Sequence, residues 1–260
     1  MVTAASSSVT GIRAVTTPLL LEFRAFWEWF ALQISPVYHG LGVKRGRKQP
    51  VMLIPGFLAA DTTLTALFTW LWRMGYKPYF SGIGINWHCP DDHIAQIATK
   101  VDQIYAETLQ PVILIGQSLG GMFAAAVAEQ RSEKVGLVIT LGTPQSETSA
   151  VHPWLVQAAE FVGGRVRAEN KRLACYTRDC TCVFGDIARG GIEADVCIHS
   201  NIDGVADSNG TKSADPTRNH QVNGATHIGM GFNPGVYRVI ADKLPGDVLL
   251  YQLPRSRAVA

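Results

Sequence analysis

The chain has 260 residues, of which 47% are hydrophobic and 17% are charged, and its formal net charge at pH 7 is +2. This length suits one large α/β domain or two small ones, and the apolar share is large enough for a sizeable core. The nearly neutral charge argues against a nucleic-acid partner, and the odd number of five cysteines in so long a chain argues against a disulfide framework.

The amino-terminal segment is small and polar from Met1 to Gly11, and we expect residues 1–15 to be disordered. It lacks the early basic region and the cleavage site of a signal peptide, so the default expectation is a cytoplasmic protein. An apolar helix is predicted over residues 18–35, too short and too often interrupted by charge to span a membrane. The interrupting residues are Glu22, Arg24 and Glu28.

This predicted helix has a broad apolar face. The face comprises Leu19, Leu20, Phe23, Phe26, Trp27 and Phe30. We favour docking of this face on the body of the protein. The alternative is a peripheral contact of residues 18–35 with a membrane, in which Trp27, Trp29 and Phe30 enter the interface. The basic, glycine-rich loop that follows, residues 40–49, is expected to be solvated.

From residue 50 to residue 140, short apolar runs alternate with segments of helical spacing. Strands are predicted at 50–54, 77–81, 111–115 and 135–140, and helices at 62–74, 91–109 and from the turn after 115 to about 130. The strands are apolar throughout instead of alternating, which is typical of strands buried on both faces. The pattern therefore predicts an α/β fold with a mostly parallel sheet covered by helices on both sides.

The rhythm breaks after residue 142. Residues 145–194 are expected to form a cap or lid insertion with one helix over 154–162. Its close pair Cys180 and Cys182 has no second pair, so no zinc site is predicted, although Cys175 or Cys180 could form a bridge in an oxidising compartment. Strands at 196–200 and 221–223 and a helix at 234–244 complete the predicted elements.

Ser118 lies in a Gly-x-Ser-x-Gly sequence between the strand at 111–115 and a helix, the pattern of a nucleophile elbow. Such a turn holds the serine at strained backbone angles and lifts its hydroxyl to the carboxyl edge of the sheet. A side chain at the flanking glycines would clash with the neighbouring strand or helix. The turn also aims the backbone N–H of Leu119 at a developing oxyanion.

A serine nucleophile needs a base and an orienting carboxylate, which follow it in the order Asp or Glu, then His, in this architecture. Asp203 comes just after the strand at 196–200, at the edge where the elbow opens. Asp207 is the main rival. Asp215 lies farther into the loop, and Asp195 lies at the opposite end of the strand.

His227 follows the last predicted strand in a glycine-flanked loop, and we take it as the base. His199 falls inside a strand, where we expect a packed or edge residue. His220 precedes the last strand, so we expect it at the edge of the sheet opposite Ser118. The second oxyanion donor is expected in the loop after the first strand, where Gly56 permits close approach and the backbone N–H of Phe57 would donate.

Five segments in this order resemble the α/β-hydrolase superfamily, and within it the lipase-like and esterase-like branch. They are Leu53–Phe57, Gly116–Gly121, Leu141–Pro144, Ile202–Val205 and Thr226–Gly229. The resemblance implies the α/β-hydrolase fold and a triad of Ser118, Asp203 and His227, with Phe57 and Leu119 as oxyanion donors. Many relatives have histidine where this chain has Pro55 and Gln145, and these departures weaken any inference about the substrate.

We therefore expect a serine hydrolase that cleaves carboxylic esters without a metal or cofactor. The cap and the apolar helix favour lipid-like or medium-to-long acyl esters. An acyltransferase or a thioesterase would use the same triad, and a non-catalytic binding protein is the less favoured alternative. The predicted organisation is an α/β-hydrolase domain at 50–250, preceded by the helix and basic loop at 16–49 and followed by a tail at 251–260.

Overall fold

The structure is a computed structural model that describes residues 19–145, 152–155, 157–159, 161–162 and 191–246. The predicted disordered start, the carboxyl-terminal tail and most of the predicted cap, including the pair Cys180 and Cys182, lie outside the described residues. Within the helix predicted over 154–162, the described residues are helical, and the helix begins at residue 153.

Six strands of the described residues form one sheet, and every pairing between neighbouring strands is parallel. The strands are β1 (Pro50–Ile54), β2 (Lys77–Phe80), β3 (Val112–Gln117), β4 (Val135–Leu141), β5 (Val196–Ser200) and β6 (Asn219–Val222), and their order is β2-β1-β3-β4-β5-β6. The predicted parallel sheet is confirmed. The last strand begins two residues earlier than predicted, so His220 lies inside it.

The helices that accompany the sheet are α1 (Ala25–Ile34), α2 (Thr65–Arg73), α3 (Pro90–Thr108), α4 (Leu119–Gln130) and α5 (Pro234–Lys243). Local chemistry explains their ends. Proline starts α3 and α5, where its missing N–H costs no hydrogen bond. The Asn233 side chain caps α5 by accepting a hydrogen bond of 2.8 Å from the N–H of Gly235.

Helices cover both faces of the sheet, as predicted, because alternate residues of each strand point to opposite sides. On one side α2 and α5 pack on the sheet through Leu67, Trp70, Leu71, Val236, Tyr237 and Ile240. On the other side α3 and α4 pack on it through Ile94, Ile97, Val101, Phe123, Ala124 and Val127. The central strands are buried on both faces, which is why their sequences are apolar throughout.

The amino-terminal segment forms a 3-10 turn, Leu19–Arg24, followed by α1. The prediction that its apolar face docks on the protein is wrong: Phe23 is 77% exposed and Trp27 is 70% exposed. The side that docks buries Glu22 and Glu28 instead. The physical reason is that these carboxylates accept hydrogen bonds from backbone N–H groups of the body, which apolar side chains could not do.

Two further features of this region bear on membranes. The four basic side chains of the loop at 40–49 are exposed, as predicted. They are Lys44, Arg45, Arg47 and Lys48. Among the described residues, helices with the length and apolar composition to cross a bilayer are absent.

Candidate active site

The turn between β3 and α4 holds Ser118 at φ 52° and ψ −125°, a conformation that residues with a side chain rarely adopt. The glycines around it are required by space. A Cβ on Gly116 would overlap the backbone of Gly120, and one on Gly120 would overlap the carbonyl groups at the end of β1. A Cβ on Gly121 would overlap the side chain of Thr143. The predicted steric reason for the glycines is confirmed.

All the predicted site residues follow strands at one edge of the sheet, because the carboxyl ends of parallel strands share an edge. Ser118 follows β3, Asp203 follows β5 and His227 follows β6. The loop after β1 packs directly on the serine turn, since a Cβ on Gly56 would lie 3.1 Å from the Cβ of Ser118. Phe57 is the next residue in that loop.

A network around Asn86 holds the loop after β1 in place. The side-chain Nδ2 of Asn86 donates to the carbonyl oxygen of Pro55 at 2.9 Å. Its backbone carbonyl accepts from the N–H of Leu58 at 2.8 Å, and its own N–H donates to the carbonyl of Ala59 at 2.9 Å. Leu58 has a positive φ of 58°, so the loop keeps a shape that a free chain would seldom adopt.

Asp203 and His227 are hydrogen bonded, with 2.7 Å between Asp203 Oδ2 and His227 Nδ1. An ionised carboxylate only accepts, so the imidazole donates from Nδ1. The other carboxylate oxygen of Asp203 accepts from the N–H groups of Val205 and Ala206, each at 2.8 Å. Both side chains are buried. Gly142 makes room for the pair, since a Cβ there would lie 3.0 Å from Asp203 Oδ2.

The environment of His227 makes its imidazole more basic. Burial by itself lowers the pKa of His227, because it disfavours the charged ring. The negative charge of Asp203, its hydrogen bond and the charge of Glu22 act in the opposite sense and prevail, so the pKa is raised above its usual value. A ring in this state takes up a proton readily.

The rival carboxylates have other partners. Asp195 lies at the amino end of β5, where its Oδ2 accepts from the N–H of Val138 at 2.7 Å. Asp207 accepts from the N–H of Gly210 within its own loop. Asp215 caps the short 3-10 helix that precedes β6.

The rival histidines are strand residues. His199 is buried in β5, where burial, with contributions from Lys212 and His220, lowers its pKa to about 4. His220 is a partly exposed residue of β6.

Ser118 reaches the histidine loop through its neighbour. Gln117 Nε2 donates to the backbone carbonyl of His227 at 2.9 Å, which ties the serine turn to the histidine loop. Ser118 Oγ and the His227 ring share no hydrogen bond in the part of the chain that is described, and catalytic hydrogen bonds of this kind are often long until substrate binds. The sequence signal for Gln117 was its place as a polar side chain next to the candidate nucleophile Ser118.

Two residues that sequence reasoning did not assign to the site also contact it. Glu22 accepts a hydrogen bond from the backbone N–H of His227 at 3.0 Å, and Glu28 accepts one from the N–H of Thr226 at 2.9 Å. The available signal was their position as carboxylates within an otherwise apolar helix, since a buried charge needs partners.

Comparisons with solved structures give three informative likenesses. A lipase of Bacillus licheniformis in its mature form has 17% identity and a TM-score of 0.56, over 77% of this chain and 94% of that one. A soluble variant of the monoglyceride lipase of Saccharomyces cerevisiae has 14% identity and a TM-score of 0.54, over 77% and 85%. A thermophilic esterase of Thermogutta terrifontis has 15% identity and a TM-score of 0.52, over 76% and 90%.

At the level of sequence the chain matches no protein-family model and no curated protein. Identities this low bear on the fold and leave the reaction open. The six-stranded parallel sheet with helices on both faces, the strained serine turn after its third strand and the three likenesses agree with one another. The chain has the α/β-hydrolase fold.

Proposed function

We propose that the protein is a serine hydrolase that cleaves carboxylic esters, with Ser118 as nucleophile, His227 as base and Asp203 as the carboxylate that orients it. The observation that carries the proposal is the buried 2.7 Å hydrogen bond between Asp203 and His227 at the sheet edge where the strained Ser118 turn opens. This is the arrangement of base and orienting group that activation of a serine needs.

In the proposed reaction, His227 Nε2 takes the proton of Ser118 Oγ while that oxygen attacks the ester carbonyl. The backbone N–H groups of Phe57 and Leu119 would bind the resulting oxyanion; Leu119 is the first residue of α4, where N–H groups lack intrahelical acceptors. Removing one such donor typically costs about 2.7–4 kcal/mol of barrier.

The intermediate collapses when the bond between the carbonyl carbon and the alcohol oxygen breaks, and His227 returns its proton to the leaving alcohol. The product is an ester of Ser118 with the acyl group. His227 then removes a proton from a water molecule that attacks this acyl-enzyme, and the acid is released with Ser118 restored. Asp203 stabilises the imidazolium in both steps. No step needs a metal or cofactor.

For the substrate we favour a lipid-like or medium-to-long acyl ester, taken up at a lipid surface through residues 18–35. The exposed aromatic side chains of this segment support the proposal, because Trp27 is 70% exposed and its ring contacts those of Phe26 and Phe30. Two of the three solved structures above are named as lipases and the third as an esterase.

The test is hydrolysis of p-nitrophenyl esters of increasing acyl length by the wild-type protein and by Ser118→Ala. We expect loss of kcat in the variant by a factor of about 10⁶ without loss of fold, because the nucleophile is gone. Ser132→Ala is the matched control and should keep full activity, because this partly buried serine lies between α4 and the amino end of β4, at the sheet edge opposite the triad. A serine-reactive phosphonate should label wild type and fail to label Ser118→Ala.

Other results of these experiments would refute the proposal or assign another function. Equal activity in Ser118→Ala would refute the proposal. Acyl transfer to an added alcohol in preference to water would identify an acyltransferase. Folded wild-type protein that neither hydrolyses any ester nor takes the label would indicate a non-catalytic binding protein.

A further inference from the structure

The amino-terminal segment buries two carboxylates against the loops of the candidate site. Glu22 is only 8% exposed and Glu28 only 7%. Neither forms an ion pair with a lysine or arginine within the described residues. A buried carboxylate without a counter-ion is costly unless hydrogen bonds satisfy its oxygens, so the partners of these two groups show what holds them there.

Glu22 joins the two loops that carry Asp203 and His227. One carboxylate oxygen accepts from the N–H of His227 and from the N–H of Gly204, both at 3.0 Å. The other oxygen accepts from the N–H of Ile228 at 2.8 Å. The same carboxylate therefore fixes the backbone next to the orienting acid and the backbone of the base itself.

Glu28 holds only the second of these loops. One oxygen accepts from the N–H of Thr226 at 2.9 Å and from its hydroxyl at 2.7 Å. The other accepts from Nδ2 of Asn233 at 2.7 Å, at the start of α5. Its carboxylate lies so close to Gly229 that a Cβ there would overlap it. Glu28 thus supports the stem of the histidine loop.

We propose that Glu22 is a positioning residue for His227, whose carboxylate holds the Asp203 and His227 loops in register and places a negative charge near the imidazole, whereas Glu28 is a structural anchor. This inference rests on the proposed hydrolase function and adds the amino-terminal segment to its machinery. One side of the amino-terminal segment presents aromatic side chains to solvent. Its opposite side, through Glu22, would complete the candidate site.

The charged and polar groups around the ring allow the effect of Glu22 to be isolated. Asp203 faces the imidazole from the loop after β5, and Glu22 faces it from the amino-terminal segment. Glu28 contacts the backbone of the preceding residue, and the serine turn contributes the neutral Gln117. Both negative charges raise the pKa of His227 against the effect of burial, so removing Glu22 must lower it.

The experiment compares Glu22→Gln with the matched control Glu28→Gln in the full chain. For Glu22→Gln we expect kcat to fall by about 10²-fold with little change in KM, because a shift of the base misaligns the reacting atoms. We also expect the acid limb of its pH–rate profile to move to lower pH. For Glu28→Gln we expect a lower Tm with the acid limb at the wild-type position.

A second measurement does not depend on activity. NMR titration of the His227 ring in the Ser118→Ala background, with and without Glu22→Gln, reports the pKa of that ring directly. The inference is overturned if Glu22→Gln leaves both the titration and the acid limb unchanged, or if Glu28→Gln moves them equally. Since the titration needs no turnover, it decides the role of Glu22 even if the protein hydrolyses no ester.

Glu22→Asp covers the case in which Glu22→Gln does not fold. It keeps the charge and shortens the side chain by one methylene, so the hydrogen bonds to the two loops lengthen. We expect a reduced kcat with the acid limb close to its wild-type position. Wild-type kcat in Glu22→Asp would contradict a positioning role.

Discussion

At the residue scale, the candidate site depends on backbone geometry that only a few side chains permit. Ser118 keeps its positive φ because β3 and α4 hold the turn from both sides, with its N–H donating to the carbonyl of Leu141 at 2.8 Å. Such strain persists only where the surrounding structure imposes it. The surrounding structure also imposes the raised pKa of His227, which depends on the carboxylates of Asp203 and Glu22 from distant parts of the chain.

The raised pKa of His227 determines how hydrolysis should depend on pH. The proposed base must be neutral, and its pKa is raised from the usual 6.5, so activity should be lost as pH falls through a value above 6.5. The pH profile of kcat/KM with a p-nitrophenyl ester measures this acid limb.

Asp203→Asn should lower kcat by about 10⁴-fold and move any remaining acid limb to lower pH, because the carboxylate that orients and charges the pair is gone. A wild-type acid limb below pH 6.5 would contradict the assignment of His227.

At the element scale, the amino-terminal helix is amphipathic in an unusual sense. Its acidic side chains are buried against the protein, and its aromatic side chains are exposed to solvent. The exposed basic loop at 40–49 leads into the amino end of β1, so it lies at the edge of the sheet opposite the candidate site. A lipid surface that contacts the aromatic side would therefore be recognised by its apolar interior more than by its charge.

We expect the double variant Phe23→Ser, Trp27→Ser to bind phosphatidylcholine vesicles at least about tenfold more weakly, because it lacks two large apolar side chains that would be buried in the bilayer interface. Hydrolysis of a short, water-soluble ester should be unchanged, since both side chains point away from the protein. Vesicle co-sedimentation measures the first effect. Trp72→Ser, which alters a 63% exposed tryptophan on α2, is the control and should bind as wild type does. Equal binding by all three proteins would refute the lipid contact.

At the scale of the whole molecule, buried histidines make folding sensitive to acid. Burial lowers the pKa of His93, with a further contribution from His88, and it lowers that of His199; both pKa values fall to about 4. Below pH 6.5 the unfolded chain binds protons at these two sites that the folded protein does not, so the free energy of unfolding decreases as pH falls towards 4. His227 has the opposite sign: its raised pKa contributes stability at low pH, which is lost as pH rises through that pKa.

We therefore expect the Tm to fall between pH 6.5 and pH 4, with each of the two buried histidines contributing up to about 3 kcal/mol. His93→Gln should flatten this dependence, because the glutamine side chain does not titrate. The exposed His39→Gln is the control and should leave the slope unchanged. Thermal unfolding followed by circular dichroism at several pH values measures the slopes. A wild-type slope in His93→Gln would show that His93 is not responsible.

What the sequence determined by itself was a parallel sheet of apolar strands and the turn at Ser118. The apolar runs that became β1, β3 and β4 can be recognised from local pattern alone. The glycines at 116, 120 and 121 were recognised from the spacing around Ser118, although contacts with β1 and Thr143 are what require the last two. The placement of Asp203 and His227 after strands also followed from local pattern, because parallel strands bring those loops to one edge.

Only the tertiary structure decided which side of the amino-terminal helix meets the protein. The hydrophobic pattern favoured the aromatic side, whereas Glu22 docks because the N–H groups of residues 204 and 227 need acceptors, and these are 182 and 205 residues away in sequence. The tie between Gln117 and His227 and the raised pKa of that histidine depend on contacts of the same range. Periodicity records how apolar a surface is, but it does not record where a distant, unpaired backbone group will lie.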